Sequence, residues 1–407
     1  MKVLLVAMYW PPAGGAGVQR TLKFAAHLPN LGFEVHVLAP DDPKWVHRDE
    51  SLREPRNVTV HRARNIGPRS RMPAEELYGR RGLGRLAGQA PLLLRRTLVP
   101  DAAVLWNVTA IRAATSIVRA EGIEVVVTTS PPGSVHLVGL AAKRATKAAW
   151  VADLRDSIAA HPQRRRDLRG ERRLAQLVAR GADAVVAASQ PIADEMKALG
   201  AERAEVVGNG CDFDDFAGLL YHPGERFRIT HTGNFIGRRS PRPFLEAMAR
   251  AGGDSVARFV GSFRRSDRDW AESLGLGDRL ELLPHRAHAE SLALQRDSEA
   301  LLLLIPESGG RERGVLSAKV FEYLAAERPI LAAVPPQGAA AALIRETGVG
   351  VVVPPADVDA IAEALGGLER RWQAGELDGT ALPKDVRTRI SRRARAEELA
   401  AILRSVA

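Results

Sequence analysis

The chain has 407 residues, 45% of them hydrophobic and 26% charged, with one cysteine and a formal net charge of +10. That length exceeds one ordinary core and predicts two domains, and the composition is globular rather than disordered. Cys211 stands alone, which excludes an internal disulfide and a cysteine zinc cluster; no run approaches the roughly 18 apolar residues of a membrane span, and the apolar opening at residues 1–7 is too short for a signal peptide, so a cytoplasmic protein is expected.

In chain order, short apolar runs at residues 3–7, 34–38, 58–62, 125–129, 150–152 and 184–188 predict strands. Helical patterns separate them, one over residues 18–28 and another beginning near Pro191. This βαβ rhythm implies a parallel sheet with right-handed crossovers. Turn formers from Gly208 to Phe216 break the rhythm and read as a linker. A second series follows at residues 227–233, 257–260, 279–283, 300–305, 330–334 and 349–353, and residues 386–407 read as an Arg-rich amphipathic helix. The fold class expected is α/β, with two Rossmann-like, doubly wound parallel-sheet domains. Such domains bind ligands at the carboxyl ends of their strands, and two opposed faces would make a cleft.

The positive charge is mostly arginine scattered along an Ala-rich chain, and no nucleic-acid motif accompanies it, so no nucleic-acid partner is expected. Its dense patch runs over residues 62–96, with nine arginines from Arg62 to Arg96 and interleaved Leu83, Leu86 and Leu92. This segment reads equally as a peripheral membrane or anionic-acceptor surface and as a solvated basic helix pair.

The most informative stretch is residues 306–324. A glycine-containing loop with Gly309, Gly310 and Gly314 leaves one buried strand and opens a helix carrying Lys319 and Glu322. Free amides at a helix start bind anions; a compact ammonium suits a phosphate oxygen and a carboxylate suits a sugar hydroxyl, which points to a nucleotide-sugar. Two further glycine loops follow first strands: Gly14-Gly15-Ala16-Gly17, and Gly233-Asn234 leading to Arg238 and Arg239, whose guanidinium forks fit a diphosphate. The first is no dinucleotide fingerprint, because Arg20 stands where its third glycine belongs. His136 is a candidate acid/base or sugar contact and Asp156 a candidate base or acceptor ligand, each reading equally as a helix cap or buried pair. The triplets Asp212/Asp214, Asp267/Asp269 and Asp357/Asp359 read as structural rather than as metal ligands.

Taken together, Gly14-Gly15-Ala16-Gly17, Pro100-Asp101 with Trp106, the runs 129–137 and 150–156, Asn209-Gly210-Cys211-Asp212 and 319–324 with Arg328-Pro329 resemble the retaining glycosyltransferases of the GT-B fold, family 4 type. The resemblance runs nearly end to end. It implies an acceptor-binding domain at 1–208, with 386–407 packing back on it, and a nucleotide-sugar-binding domain at 209–385. It implies that Glu322 bonds the donor ribose, that amides of Val315, Leu316 and Ser317 and of the Gly14–Gly15 loop hold the diphosphate, and that Arg239 and Lys319 neutralise it. No metal or other cofactor is implied; the partners are a nucleotide-sugar donor (UDP- or GDP-sugar) and a hydroxyl acceptor that is a saccharide, a lipid-linked sugar or a small natural product. Two positions depart from the pattern: Gly314 replaces a glutamate that usually contacts the donor sugar, and Asn234 replaces an arginine. A catalytically silent sugar-nucleotide-binding scaffold and a sugar-nucleotide epimerase are the alternatives on this fold.

Overall fold

The computed structural model describes residues 1–42, 48–67, 98–158, 168–235, 239–307, 316–377 and 379–407. The chain divides into two compact units, Met1–Gly208 with Arg393–Ala407, and Asn209–Arg392. Each is built on one parallel sheet.

The first unit has seven strands: β1 (Lys2–Val6), β2 (Glu34–Pro40), β3 (Val58–Ala63), β4 (Val125–Ser130), β5 (Ala149–Leu154), β6 (Ala184–Ala187) and β7 (Ala204–Val206), in the order β3-β2-β1-β4-β5-β6-β7. Strand side chains alternate between faces, and both faces are buried. Val3 and Leu5 of β1 join one core with Val18 and Leu22 of helix α1 (Ala16–His27). Leu4 and Val6 join the other, with Trp106 of α2 (Val104–Glu121) and Val138 of α3 (His136–Ala145). Helices α4 (Leu168–Gly181) and α5 (Gln190–Ala198) complete this part.

The second unit has six strands, β8 (Arg228–Thr232), β9 (Val256–Val260), β10 (Leu280–Leu283), β11 (Ala300–Leu304), β12 (Ile330–Ala333) and β13 (Gly350–Val353), in the order β10-β9-β8-β11-β12-β13. One face packs on α6 (Arg242–Ala251) and α11 (Val358–Gln373) through Phe244, Met248, Ile361 and Leu365. The other packs on α9 (Ala318–Ala325) and α10 (Ala339–Thr347) through Phe321, Leu324 and Ile344. Helices α7 (Arg265–Ser273), α8 (His288–Arg296) and α12 (Lys384–Arg389) lie in the same unit.

The strand order reverses between β1 and β4 in the first sheet and between β8 and β11 in the second. These are the points where the flanking crossovers run to opposite sides and leave a crevice at the carboxyl ends of the strands.

The structure departs from the sequence reading in two places. A three-residue strand, β7, closes the first sheet where the sequence reading assigned no element. The stretch 386–407 is not one helix: Val386 and Ile390 belong to a core of the second unit, whereas α13 (Arg392–Val406) sends Ala396, Leu399 and Leu403 into the first. The chain's two passages between units are laced together inside the second one. Cys211 N donates to the Ile390 carbonyl at 3.1 Å and Arg392 N to the Cys211 carbonyl at 3.0 Å. A Cβ on Gly210 would stand 2.6 Å from the Ile390 carbonyl oxygen, so glycine is required for this close approach.

Candidate functional site

In the second unit the glycine loop after β8 and the helix after β11 flank the switch point. Gly233 follows β8 with φ +116°, and a Cβ there would lie 2.5 Å from Lys319 Nζ. The glycine therefore serves both the turn and the side chain that crosses it. Lys319 Nζ lies 3.3 Å from His231 Nε2. Burial first, then the neighbouring charge of Arg239, pushes the Lys319 amine down to about 7, with Glu322 pulling the other way.

Glu322 sits one turn further along α9. Gln295 of α8 donates from Nε2 to Thr232 Oγ1 at 3.0 Å and to Glu322 Oε2 at 3.4 Å. Tyr323 Oη accepts from Thr232 N at 2.9 Å, and burial pushes its phenol up to about 12. The network fixes α9 to the end of β8, so the ammonium of Lys319 and the carboxylate of Glu322 come from one helix face onto one strand end. Leu316 and Ser317 lead directly into α9, whose start carries no side-chain cap, and Asn209 Nδ2 donates to the Leu316 carbonyl at 3.3 Å. Asn234, standing where an arginine was the pattern, accepts from Ser262 N at 2.7 Å and braces the loop after β9. Arg239 follows on the same loop as Gly233. The sequence-derived candidates Arg238, Gly314 and Val315 lie outside the described residues, as does most of the basic 62–96 segment.

In the first unit, Gly14 and Gly15 close the loop after β1. Gly15, with φ +90°, caps α1 without a side-chain bond, and no acidic residue occupies the first turn of that helix. Its dipole and leading amides suit an anion. Arg155 braces this crevice from both sides, donating to the Ser130 carbonyl at 2.9 Å and the Gly17 carbonyl at 2.7 Å. A buried pair anchors it: Arg20 of α1 meets Asp153 of β5 at 2.7 Å and also donates to the Val207 and Gly208 carbonyls, while Thr129 donates to the same aspartate at 2.8 Å.

His136 is fully buried, with Nδ1 2.8 Å from Thr128 Oγ1, and burial pulls it down to about 4. It stands as a neutral imidazole, unsuited to giving up a proton near pH 7. Asp156 is exposed beside Arg155. The structure thus brings Gly233, Lys319, Glu322 and Ser317 together in one unit and places Gly14, Gly15, His136 and Asp156 in the other.

Some neighbouring residues were not singled out by sequence. Thr230-His231-Thr232 is polar within a buried strand, a signal that could have drawn attention to His231. Gln295 had none. The Asp101 and Trp106 pattern proves structural: Asp101 accepts from Ser134 N at 2.8 Å, and Trp106 Nε1 donates to the Ala63 carbonyl. Asp357 caps α11 through Ala360 N, and Asp267 pairs with Arg242, in keeping with structural roles. Among the described residues no group of three or more His, Cys, Asp or Glu could hold a metal, and no helix is long and apolar enough to cross a membrane.

Residues 14–210 match the model of the glycosyl transferase 4-like domain. No curated protein sequence matches the chain. Among solved structures, a glycosyltransferase from Rickettsia africae is similar at a TM-score of 0.68 and 14% identity, over 100% of this chain and 98% of the other. Sucrose-phosphate synthase from Thermosynechococcus elongatus is similar at 0.67 and 16%, over 99% and 98%. Anabaena HepE in complex with UDP is similar at 0.65 and 19%, over 100% of both chains. At these identities the likeness is one of fold.

Proposed function

We propose that this chain, whose residues 14–210 match the glycosyl transferase 4-like domain and whose fold is shared with GT-B glycosyltransferases, is itself a glycosyltransferase that moves a sugar from a UDP- or GDP-sugar to a hydroxyl acceptor, with retention at the anomeric carbon and without a metal. The observation that carries the reading is the placement of Lys319 across Gly233, one turn from Glu322, at the β8/β11 switch point. HepE, similar in fold, was solved with UDP.

In this reading Glu322 accepts from the ribose hydroxyls, held in place by Gln295. The leading amides of α9 after Ser317, Lys319 and Arg239 meet the diphosphate. The anomeric C–O bond breaks toward an oxocarbenium-like state while charge grows on the leaving phosphate, and fixed donors stabilise that charge. The acceptor oxygen attacks from the face the leaving group departs, and its proton passes to a leaving phosphate oxygen. No enzyme base is required. His136 then serves as a neutral contact in the first unit, and Asp156 as an exposed acceptor-side carboxylate. The acceptor is a saccharide, a lipid-linked sugar or a small natural product, and a cytoplasmic enzyme touching the inner membrane face through residues 62–96 accommodates each.

Lys319→Ala should lower kcat on the order of 10²-fold, as loss of a transition-state donor does. A panel of UDP-, GDP- and dTDP-sugars read by thermal shift and by product NMR tests donor class and anomeric outcome together. Inverted product, activity abolished by EDTA and restored by a divalent ion, or wild-type turnover in Lys319→Ala would each overturn the corresponding part. A silent scaffold would bind donor but neither transfer nor hydrolyse it.

A further inference from the structure

Behind Lys319 stands a histidine to which the proposed chemistry gives no task. His231 Nδ1 lies 2.9 Å from the Leu302 carbonyl, which can only accept, so the ring proton sits on Nδ1. Nε2 is then a lone-pair acceptor, and it faces Lys319 Nζ. The ring is 2% exposed, stacks on Phe235 with centroids 4.9 Å apart and tilts against Phe259. Burial, then the charges of Lys319 and Arg239, hold this imidazole well below the ordinary histidine range. It remains a neutral acceptor near pH 7.

Among the described residues, the charged groups facing Lys319 are Arg239 from the loop after β8, which repels it, and Glu322 from its own helix, which is engaged by Gln295. Tyr323, from the same helix, is turned to Thr232. The strand end contributes His231 and the open space of Gly233.

We infer that His231 is a positioning residue whose Nε2 holds the Lys319 amine across Gly233, ready to become the ammonium that meets the donor diphosphate. The inference rests on the donor-site reading of Lys319. It couples donor binding to protonation. With its amine down at about 7, Lys319 is largely neutral above that pH in the free protein, and an arriving dianion favours the ammonium. Donor binding then takes up a proton, and affinity weakens by up to about tenfold per pH unit above neutrality. A neutral acceptor stabilises an ammonium more than an amine, so removing Nε2 shifts the onset of weakening to lower pH.

The test is titration calorimetry with UDP, and with pyrophosphate as a probe lacking a base, from pH 6 to 9 in two buffers of different ionisation enthalpy. Wild type, His231→Gln and His231→Leu are compared. Glutamine keeps an acceptor; leucine does not. Wild type should take up close to one proton at pH 8, and His231→Gln should keep affinity within about threefold and the same pH onset. His231→Leu should bind about tenfold more weakly at pH 8, with the onset lower by about one unit. A merely structural role would lower the melting temperature of both variants and leave the onset in place, and that result overturns the inference. Histidine 15N NMR of the wild type gives a reading that needs no variant to fold. Protonated Nδ1 and bare Nε2 from pH 6 to 8 are expected, and the opposite tautomer or a titrating ring overturns the inference. Wild-type binding and turnover in Lys319→Ala would instead sink the donor-site reading. A crippled Lys319→Ala beside an unshifted His231→Leu would sink only the role of His231.

Discussion

Gly233 shows how one residue can hold a backbone conformation and a side-chain path at once. Alanine there meets φ +116° and places its Cβ 2.5 Å from the Lys319 amine. Backbone strain of this kind costs about 1–3 kcal/mol, and the flexible lysine end must also move. Gly233→Ala should therefore still fold while donor affinity drops about tenfold or more, as read by calorimetry beside a melting curve. The buried Arg20–Asp153 pair makes the opposite case, where structure rather than binding is at stake. Asp153→Ala leaves a guanidinium buried without its carboxylate and should cost about 3–5 kcal/mol in urea unfolding. Lys319 and Glu322 were legible in sequence because a glycine loop and an apolar run frame them. Arg20 and Asp153 stand 133 positions apart, and no local pattern announces a pair made only by folding.

At the scale of elements, α3 and β5 depend on a missing side chain. Gly139 lies in the middle of α3, where alanine would ordinarily favour the helix by about 1 kcal/mol. Here a Cβ would stand 2.1 Å from Trp150 Nε1, and that indole is fully buried and donates to Thr128 at 2.8 Å. The sign should reverse: Gly139→Ala should destabilise by about 1–3 kcal/mol, checked by chemical denaturation. Most strands buried on both faces were easy to read, since they carry short apolar runs between turns. β7 was missed because Ala204-Glu205-Val206 lies at the sheet edge and needs to be apolar on one side only. The helix boundary near residue 390 was missed for another reason. The amphipathic pattern says which side of a helix is buried, but not which of two cores it enters.

For the whole molecule, the two sheets share one plan: the order reverses once in each, and the glycine loops follow the first strand of each series. The glycine loops were visible in sequence; the reversal of strand order was not, because that order is made only by folding. The donor sugar was not visible, because the position where the pattern has a glutamate is Gly314. The core of the first unit is not completed by its own first 208 residues. Leu399 and Leu403 of α13 are fully buried in it. Leu403→Ala should cost about 2–5 kcal/mol, and urea unfolding followed by the first unit's Trp106 and Trp150 should register the loss.

A ribosome delivers residues 209–392 before it delivers those two leucines. The second unit has all its strands in hand while one sheet face of the first is covered by α1 but still lacks α13, so the unit that comes first in the chain is finished last. Chains truncated after residue 395 should accordingly hold a protease-resistant second unit beside a first unit that is still cut, and chains that also carry residues 396–407 should show both protected.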